Sequence, residues 1–307
     1  MEYAARITGT GSAFPDRRMT NDDIALKLTD IGLETSDQWI RERTGIVERR
    51  ISQIDNSAET NSSLGERAAR KALEMAGRKP EELDQIIYAT CSPDTLIPAT
   101  ACWLQSKINA HNAWAMDINA ACSGFVYGTI IAEQFIRTGR SKTVLVVGAE
   151  VLSPYINWHD RTICILFGDG AGAAVVERES VKSQQRIISS HMVSDGTLSE
   201  LLYIPAGGSK MEVTPERYGQ NLHKMRMSGR EIFKVAVRTL TECALRSIDE
   251  WGMHVDRLDW FVPHQANLRI IEAVVNRLGC PMEKVVINLD RYGNTSAATI
   301  PTALDEA

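Results

Sequence analysis

The sequence lacks the patterns typical of metal-binding, disulfide-stabilised and membrane proteins. Its six cysteines show no Cys-x-x-Cys spacing and do not cluster with the six histidines, so neither a zinc site nor a disulfide framework is expected. No uninterrupted apolar run approaches the roughly 20 residues of a membrane span, and no signal peptide opens the chain. We therefore expect a cytoplasmic protein with reduced thiols and no bound metal.

The sequence also lacks a strong excess of charge of either sign. Its 307 residues include 34 Lys and Arg and 39 Asp and Glu, which gives a formal net charge of −5, and 44% of the residues are hydrophobic. This mild acidity argues against nucleic acid as the main partner, but it leaves room for a local basic patch. The chain is long enough for two domain-sized halves with buried cores.

Helical and strand patterns alternate along the chain, which indicates an α/β fold. A capping box of Ser228 and Glu231 marks the start of one helix, and Gly77 marks the end of another. The pattern predicts helices over residues 58–76, 124–138 and 228–251. It predicts strands over residues 84–90, 143–148 and 258–262.

Two features recur at a nearly constant interval along the chain. Asp84 and Asp259, each in a predicted strand, lie 175 residues apart (259 − 84 = 175), and the small-residue turns at Cys122 and Ser296 lie 174 apart (296 − 122 = 174). This offset indicates two copies of one α/β unit. We assign residues 1–180 to an N-terminal half and residues 181–307 to a C-terminal half.

One cysteine lies where a nucleophile is expected. Cys122 follows a strand end and a turn of small residues, and a helix with apolar spacing begins directly after it. Unpaired backbone N–H groups and the helix dipole favour a thiolate at such a position, so we expect a lowered pKa for this thiol. The other five cysteines are interpreted as small buried residues.

Two residues far downstream are candidate partners of that thiol. His264 follows Pro263 at the end of a predicted strand, among polar neighbours poorly suited to a dry core. Asn294 lies in a Tyr-Gly-Asn-Thr sequence and, taken alone, would be interpreted as a turn residue. A Cys, His and Asn set of this kind indicates acyl-transfer chemistry.

A glycine-rich segment in the middle of the chain invites a phosphate-loop interpretation. It spans residues 168–172, and the residues that follow it have the pattern of a strand rather than a helix. A dinucleotide-binding fingerprint requires a helix after the glycine-rich loop, so this interpretation is rejected. We expect instead a tight turn between two strands.

Five segments in this order resemble the β-ketoacyl-acyl-carrier-protein synthase III family, the initiating condensing enzymes of bacterial fatty-acid synthesis. They are residues 42–46 (ERTGI), 117–125 (DINAACSGF), 167–173 (FGDGAGA), 262–267 (VPHQAN) and 292–298 (YGNTSAA). The resemblance runs from about residue 3 to the last residue. It implies a thiolase-like fold of two pseudo-repeated α/β halves, with mixed sheets in a layered αβαβα arrangement, and a homodimer.

The resemblance also implies a reaction and its catalytic residues. The reaction is a decarboxylating Claisen condensation of a short acyl-CoA with malonyl-acyl carrier protein to a 3-oxoacyl-carrier protein. Cys122 would carry the acyl group, and His264 and Asn294 would stabilise the enolate. Acyl-CoA is a substrate here, and no cofactor is expected. The stretch 194–227, which lacks periodicity, is expected at the mouth of the substrate tunnel.

Binding residues for both substrates follow in the same way. Trp39 and Arg43 lie four residues apart and would share one helix face, where an indole and a guanidinium suit an adenine ring and phosphates. The resemblance assigns these two residues and Arg161 to coenzyme A. It assigns Lys234 and Arg269 to docking of the acidic carrier protein.

Three alternative functions and three departures from the family stay open. The first alternative is a papain-like hydrolase, which also uses Cys, His and Asn. The second is a quinolone or polyketide synthase of secondary metabolism, which shares all three catalytic positions. The third is a homologue that binds acyl carriers and has no catalytic activity. Arg230 and Ile97 differ from residues common in the family, so the acyl primer is open. The sequence ends at Ala307, whereas the resemblance implies two further closing strands and a glycine-rich turn whose backbone N–H belongs to the oxyanion hole. We therefore expect the natural gene product to be longer.

Overall fold

The computed structural model describes residues 2–53 and 55–307. The strands are β1 (Tyr3–Ala13), β2 (Arg18–Thr20), β3 (Glu48–Arg50), β4 (Gln85–Ala89), β5 (Trp114–Ile118), β6 (Thr143–Glu150), β7 (Gly170–Ser180), β8 (Leu202–Tyr203) and β9 (Arg226–Met227). The helices are α1 (Asn21–Thr29), α2 (Asp37–Thr44), α3 (Asn61–Ala76), α4 (Thr100–Ile108), α5 (Gly124–Arg137), α6 (Arg161–Cys164), α7 (Pro215–Gly219), α8 (Gly229–Glu250), α9 (Leu268–Leu278), α10 (Leu289–Tyr292) and α11 (Thr299–Glu306).

A mixed sheet of five strands forms the centre of the N-terminal half. Its order is β1-β7-β6-β4-β5, with β4 parallel to β5 and β6, and with β7 antiparallel to β1 and β6. Strand β6 is buried along its whole length because helices cover both faces. Leu145 and Val147 pack with residues of α3 and α4, whereas Val144 and Val146 pack with residues of α5. The predicted strands at 84–90 and 143–148 are confirmed.

The predicted helices of this half are confirmed, and the internal repeat is visible in the backbone. Gly77 ends α3 with a left-handed φ of 64°, and Gly252, 175 residues later (252 − 77 = 175), has a φ of 67°. Ala121 and Ser296 are also 175 residues apart (296 − 121 = 175), with φ values of 46° and 50°. Each opens a 3₁₀ turn, Ala121–Ser123 or Ser296–Ala298, that leads directly into α5 or α11.

The predicted strand over residues 258–262 is wrong in its extent. Among the described residues the segment forms only an isolated parallel bridge, with Phe261 N donating to Lys284 O at 2.8 Å and Val286 N donating to Phe261 O at 3.0 Å. A 3₁₀ turn ends at Arg257, and Pro263 has no N–H to extend the pairing. The residues between Arg257 and Pro263 are too few to form a continuous series of strand hydrogen bonds.

Two further local predictions are also wrong. Helix α8 begins at Gly229 as expected, but the Ser228 side chain makes no capping bond, because its ψ of 74° departs from the extended conformation of a capping residue. The segment around Asp169 is not a tight turn between strands, since residues 151–169 connect β6 to β7. Buried Asp169 accepts hydrogen bonds from Ser52 N, Leu152 N and the Ser153 hydroxyl, each at 2.7 Å.

In residues 2–53 and 55–307, none of the helices combines the length and the apolar character needed to cross a bilayer.

Candidate active site

The predicted nucleophile lies in a strained turn between a strand and a helix. Cys122 is the middle residue of the 3₁₀ turn Ala121–Ser123, between the end of β5 and the start of α5. Ala121 has a φ of 46°, which is uncommon for a residue with a side chain. At Gly124 a Cβ atom would come within 2.8 Å of the Ala89 Cβ. The helix therefore starts hard against the sheet, directly after the thiol.

A second turn faces the first one and carries the polar partners. It is Ser296–Ala298, which packs against Ala121–Ser123. Asn294 lies just before it and is fixed by its backbone: its N–H donates to Leu166 O at 2.8 Å, and its carbonyl accepts from Gly168 N at 3.1 Å. Its Oδ1 accepts from Ser296 N at 2.8 Å. In this orientation the side-chain NH₂ group of Asn294 makes no hydrogen bond within residues 2–53 and 55–307, so it can donate to a substrate.

His264 contacts the same segment through a residue that the sequence analysis missed. Its Nδ1 lies 2.6 Å from the Thr299 hydroxyl, at the first residue of α11, and that hydroxyl donates to Ser296 O at 2.9 Å. Burial lowers the pKa of His264 to about 4, so the ring is neutral at pH 7. Thr299 is buried, and no spacing rule links it to a histidine 35 residues earlier.

The expected low pKa of Cys122 is wrong. Burial raises the pKa of the thiol to about 11, partly offset by a hydrogen bond with the Ser296 hydroxyl, and the charge of Glu150 acts in the same direction as burial. A rise from the thiol's ordinary 9.0 corresponds to roughly 2.7 kcal/mol against the thiolate. A helix N-terminus contributes only about 0.3–1 kcal/mol, so the cost of burial prevails.

A buried carboxylate lies next to the catalytic turns and was also missed. Glu150, the last residue of β6, is fully buried, and burial raises its pKa. It accepts hydrogen bonds from Ser92 Oγ at 2.5 Å and from Ser296 Oγ at 3.2 Å. The sequence carries one signal for it, a glutamate at the end of an otherwise apolar strand.

The three residues predicted to bind coenzyme A lie together at a different place on the surface. Trp39 and Arg43 share one face of α2 as predicted, with the Arg43 Cζ 5.3 Å from the centroid of the Trp39 ring. Arg161 approaches the same ring, with its Cζ 4.8 Å from the centroid. An adjacent cleft of about 400 Å³ is lined by Leu33, Asn157, His159, Asp160, Arg161, Gln220, Asn221 and Arg226.

The cleft is lined by none of the three predicted catalytic side chains. Three of its lining residues belong to the aperiodic stretch 194–227, which therefore reaches the region of Arg161. That stretch contains helix α7 and the short hairpin of β8 and β9. Its position at the mouth of a tunnel stays a prediction.

The two predicted docking residues lie exposed on helices that pack against each other. Lys234 is on α8 and Arg269 is on α9. Arg230 and Arg238 are also exposed and stand four residues before and after Lys234, so α8 presents a basic stripe at helical spacing. In the part of the chain that the structure describes, no three His, Cys, Asp or Glu residues are arranged to hold a metal ion.

Comparisons with known proteins agree with this geometry. Family models described as 3-oxoacyl-[acyl-carrier-protein] synthase III and as its C-terminal part match residues 116–196 and 248–307. The chain is 50% identical over 306 residues to the β-ketoacyl-[acyl-carrier-protein] synthase III of Caldanaerobacter subterraneus, covering 100% of this chain and 89% of that protein.

Two solved structures are similar to the whole described chain. The 3-oxoacyl-[acyl-carrier-protein] synthase III of Aquifex aeolicus has a TM-score of 0.88 and 44% identity, covering 99% of this chain and 90% of that one. A priming β-ketosynthase of a polyketide biosynthetic pathway has a TM-score of 0.86 and 34% identity, covering 99% and 87%. Both similarities extend across the two turns that carry Cys122 and Ser296.

Proposed function

Because the chain belongs to the 3-oxoacyl-acyl-carrier-protein synthase III family, the thiolase-fold condensing enzymes that initiate fatty-acid synthesis, we propose that Cys122, His264 and Asn294 carry out its acyl transfer and condensation. The observation that carries this proposal is the pair of facing turns. One turn holds the thiol, and the other links both donors: Asn294 bonds Ser296, and His264 bonds Thr299 directly after the turn.

In the first half-reaction the Cys122 sulfur attacks the thioester carbonyl of a short acyl-CoA. The bond between the acyl carbon and the coenzyme A sulfur breaks, and an acyl-cysteine remains. In the second, malonyl-acyl carrier protein loses carbon dioxide to form an enolate, whose carbon attacks the acyl-cysteine and expels the Cys122 sulfur. The product is a 3-oxoacyl-carrier protein. No electrons are gained or lost, so we expect no metal or redox cofactor.

Decarboxylation places negative charge on the thioester oxygen, and two N–H donors suit that position. The free NH₂ group of Asn294 is one of them. We propose His264 Nε2–H as the other donor. The Thr299 hydroxyl donates to Ser296 O in this structure, so it must turn to donate to His264 Nδ1 before the ring proton can lie on Nε2. Removing one oxyanion donor from such a site costs about 2.7–4 kcal/mol in the barrier.

For coenzyme A we propose that the adenine ring stacks on Trp39 with Arg161 on its other face, and that Arg43 contacts phosphate. The guanidinium of Arg161 now lies over the indole at 4.8 Å, so it must swing outward to admit the ring. That movement is feasible because the Arg161 side chain is exposed and, among the described residues, its one hydrogen bond is to Glu34 O at 2.8 Å.

For the carrier protein we propose that Lys234 and Arg269 dock its acidic surface, extended by the basic stripe on α8. The net charge of −5 repels an acidic partner in general, so docking depends on this local concentration of positive charge. We further propose that the enzyme works in the cytoplasm, where a reactive thiol stays reduced.

We infer a homodimer from the surface around β5. This strand is the edge of the sheet, with Trp114 42% exposed. The nearby loop exposes Leu96 by 87% and Ile97 by 88%. An unpaired edge strand beside exposed large apolar side chains is typical of an interface with another copy. Sedimentation velocity at micromolar concentration tests this, and a purely monomeric protein would contradict it.

The catalytic assignment is tested by separating the half-reactions. Cys122→Ala should form no acyl-enzyme with acetyl-CoA, whereas His264→Ala and Asn294→Ala should become acylated and lose malonyl decarboxylation by about 10²- to 10³-fold. Intact-protein mass spectrometry after exposure to acetyl-CoA measures the first step, and release of carbon dioxide measures the second. Absence of the acyl adduct on His264→Ala would refute this division, since it would make His264 the base for the thiol, as in papain-like enzymes.

A further inference from the structure

Arg49 is completely buried and has no acidic partner within hydrogen-bond distance. It is the middle residue of β3 and is 0% exposed. Within residues 2–53 and 55–307 its hydrogen bonds go to neutral oxygens. Burial lowers the pKa of Arg49 to about 10, so the guanidinium is still charged at neutral pH. A buried charge without a counter-ion destabilises a fold, so the value of Arg49 lies in what its hydrogen bonds hold.

The guanidinium of Arg49 has two arms that hold different segments. On one arm, Nη2 donates to Ile165 O at 2.8 Å. On the other arm, Nη1 donates to Asn21 Oδ1 at 2.8 Å and to Met19 O at 3.4 Å. The Nε atom makes no hydrogen bond in the part of the chain that the structure describes. Arg49 therefore joins the segment that leads into β7 to the strand β2 and the start of α1.

The segment that follows Ile165 fixes the backbone of Asn294. Leu166 O accepts from Asn294 N at 2.8 Å, and Gly168 N donates to Asn294 O at 3.1 Å, so the two segments form a parallel bridge. Among the described residues, both backbone hydrogen bonds of Asn294 go to this short segment. Since Arg49 holds Ile165 O, the guanidinium anchors the segment directly before the first of these two bonds.

The stem of Arg49 packs against the same pair of segments. A Cβ added at Gly168 would lie 3.1 Å from the Arg49 Cβ, and one added at Gly293 would lie 3.3 Å from it. Gly293 directly precedes Asn294 and has a left-handed φ of 67°, which residues with a side chain rarely adopt. We propose that Arg49 is a positioning residue that fixes Asn294, and with it the direction in which the Asn294 NH₂ group donates to the enolate oxygen.

This inference rests on the proposed function, in which Asn294 acts in decarboxylation and Cys122 accepts the acyl group. None of the hydrogen bonds of Arg49 goes to the turn that carries Cys122. A displacement of a catalytic group by about 1 Å can slow a reaction by about 100-fold. Loss of the Arg49 donors should therefore slow decarboxylation and spare acylation.

The second arm of Arg49 supplies a way to separate positioning from fold stability. Asn21 Nδ2 donates to Asp37 Oδ1 at 2.8 Å and to Ile46 O at 2.7 Å, and neither bond involves Arg49. The start of α2 thus stays tied to Asn21 when Arg49 is replaced. Conversely, a substitution of Asn21 removes one arm of Arg49 and leaves the bond to Ile165 O in place.

The test is Arg49→Met in the full chain, which keeps an unbranched stem and removes every guanidinium donor. Rapid quench with intact-protein mass spectrometry measures acylation by acetyl-CoA, and release of carbon dioxide from malonyl-carrier protein measures decarboxylation. We expect kcat for decarboxylation to fall by about 10- to 100-fold. The acylation rate and the KM for malonyl-carrier protein should stay within about threefold of wild type, because the thiol and the docking residues are untouched.

Asn21→Ala is the matched control, since it removes buried hydrogen bonds around Arg49 but not the bond to Ile165 O. It should lose stability in urea and still decarboxylate within about threefold of wild type. Arg49→Gln serves if Arg49→Met does not fold, because its amide is polar but too short to reach Ile165 O, and it should show the same selective loss of decarboxylation. Arg49→Met combined with Asn294→Ala should be no slower than Asn294→Ala alone, because Arg49 acts through Asn294.

A wild-type kcat for decarboxylation in folded Arg49→Met or Arg49→Gln would overturn the inference. Equal slowing of both half-reactions would do the same, as would an Asn21→Ala enzyme as slow as Arg49→Met or effects that multiply in the double variant. The single variant Asn294→Ala separates this inference from the proposed function. If Asn294→Ala decarboxylates at the wild-type rate, the proposed function fails, and if it is impaired while the Arg49 variants are not, only the role of Arg49 fails.

Discussion

Thr299 offers the sharpest test of how the fold prepares His264. The substitution Thr299→Val keeps the volume and branching of the side chain but removes the hydroxyl that lies 2.6 Å from His264 Nδ1. The neutral ring carries one proton, and the decarboxylation step needs it on Nε2. Without the Thr299 hydroxyl, which can turn from Ser296 O to donate to Nδ1, nothing holds the proton there.

The size of the effect follows from the bond that is lost. A hydrogen bond of this kind stabilises one state over another by about 0.5–1.5 kcal/mol, and each 1.36 kcal/mol is a factor of ten in rate. We therefore expect decarboxylation of malonyl-carrier protein to slow by about tenfold. The part of the loss that acts through the imidazole cannot exceed that of His264→Ala, about 10²- to 10³-fold, whereas loss of the second Thr299 bond, to Ser296 O, would also show in the acylation rate.

The assay is carbon dioxide release from malonyl-carrier protein, run beside acylation by acetyl-CoA, which should be unchanged. Thr302→Val is the matched control, since Thr302 is equally buried on α11 and donates to Thr299 O at 3.0 Å without touching His264. Thr299→Ser should restore the rate. A Thr299→Val enzyme that decarboxylates as fast as Thr302→Val would refute the reasoning, and so would a double variant with His264→Ala that is slower than His264→Ala alone.

Three further predictions concern stability and docking. Burial lowers the pKa of His264 to about 4, so the unfolded chain binds a proton at this residue more tightly than the folded protein does. The contribution of His264 to the free energy of unfolding is therefore full above pH 6.5 and falls by up to roughly 3 kcal/mol towards pH 4. In urea unfolding, His264→Gln should lose less unfolding free energy than the wild type over that pH range. Gly148→Ala would set a Cβ 2.3 Å from Ala297 O, so we expect a loss of about 1–3 kcal/mol in unfolding free energy; an unaltered melting temperature would contradict this. Lys234→Glu with Arg269→Glu should raise KM for malonyl-carrier protein, reduce its salt dependence and spare acetyl transfer from coenzyme A, whereas an unchanged KM would remove both residues from the docking surface.

Local features of this protein could be predicted from its sequence because neighbouring residues set them. Trp39 and Arg43 share a face of α2 since residues four apart always do so on a helix. Gly77 ends α3 because glycine adopts the left-handed conformation without a Cβ clash. The apolar run at 143–148 is long and continuous enough to require cover on both faces, and β6 has it.

The internal repeat could be predicted from the sequence, but the packing of its two turns against each other could not. The interval between Cys122 and Ser296 predicted two related turns, and the left-handed Ala121 and Ser296 confirm them. That the turns pack against each other is a fact of the tertiary fold. The same holds for residues 258–262, whose strand-like pattern yields a single bridge, because a strand exists only where another segment pairs with it.

The chemistry of the site was decided by the tertiary structure. The sequence predicted a reactive thiolate from the helix that follows Cys122, whereas burial by distant segments raises its pKa to about 11. Thr299 meets His264 across 35 residues, and Glu150 meets Ser296 across 146. Spacing rules describe residues within a few turns of each other. Desolvation and hydrogen-bond partners depend on which segments the fold brings together, and these determine which groups hold a proton.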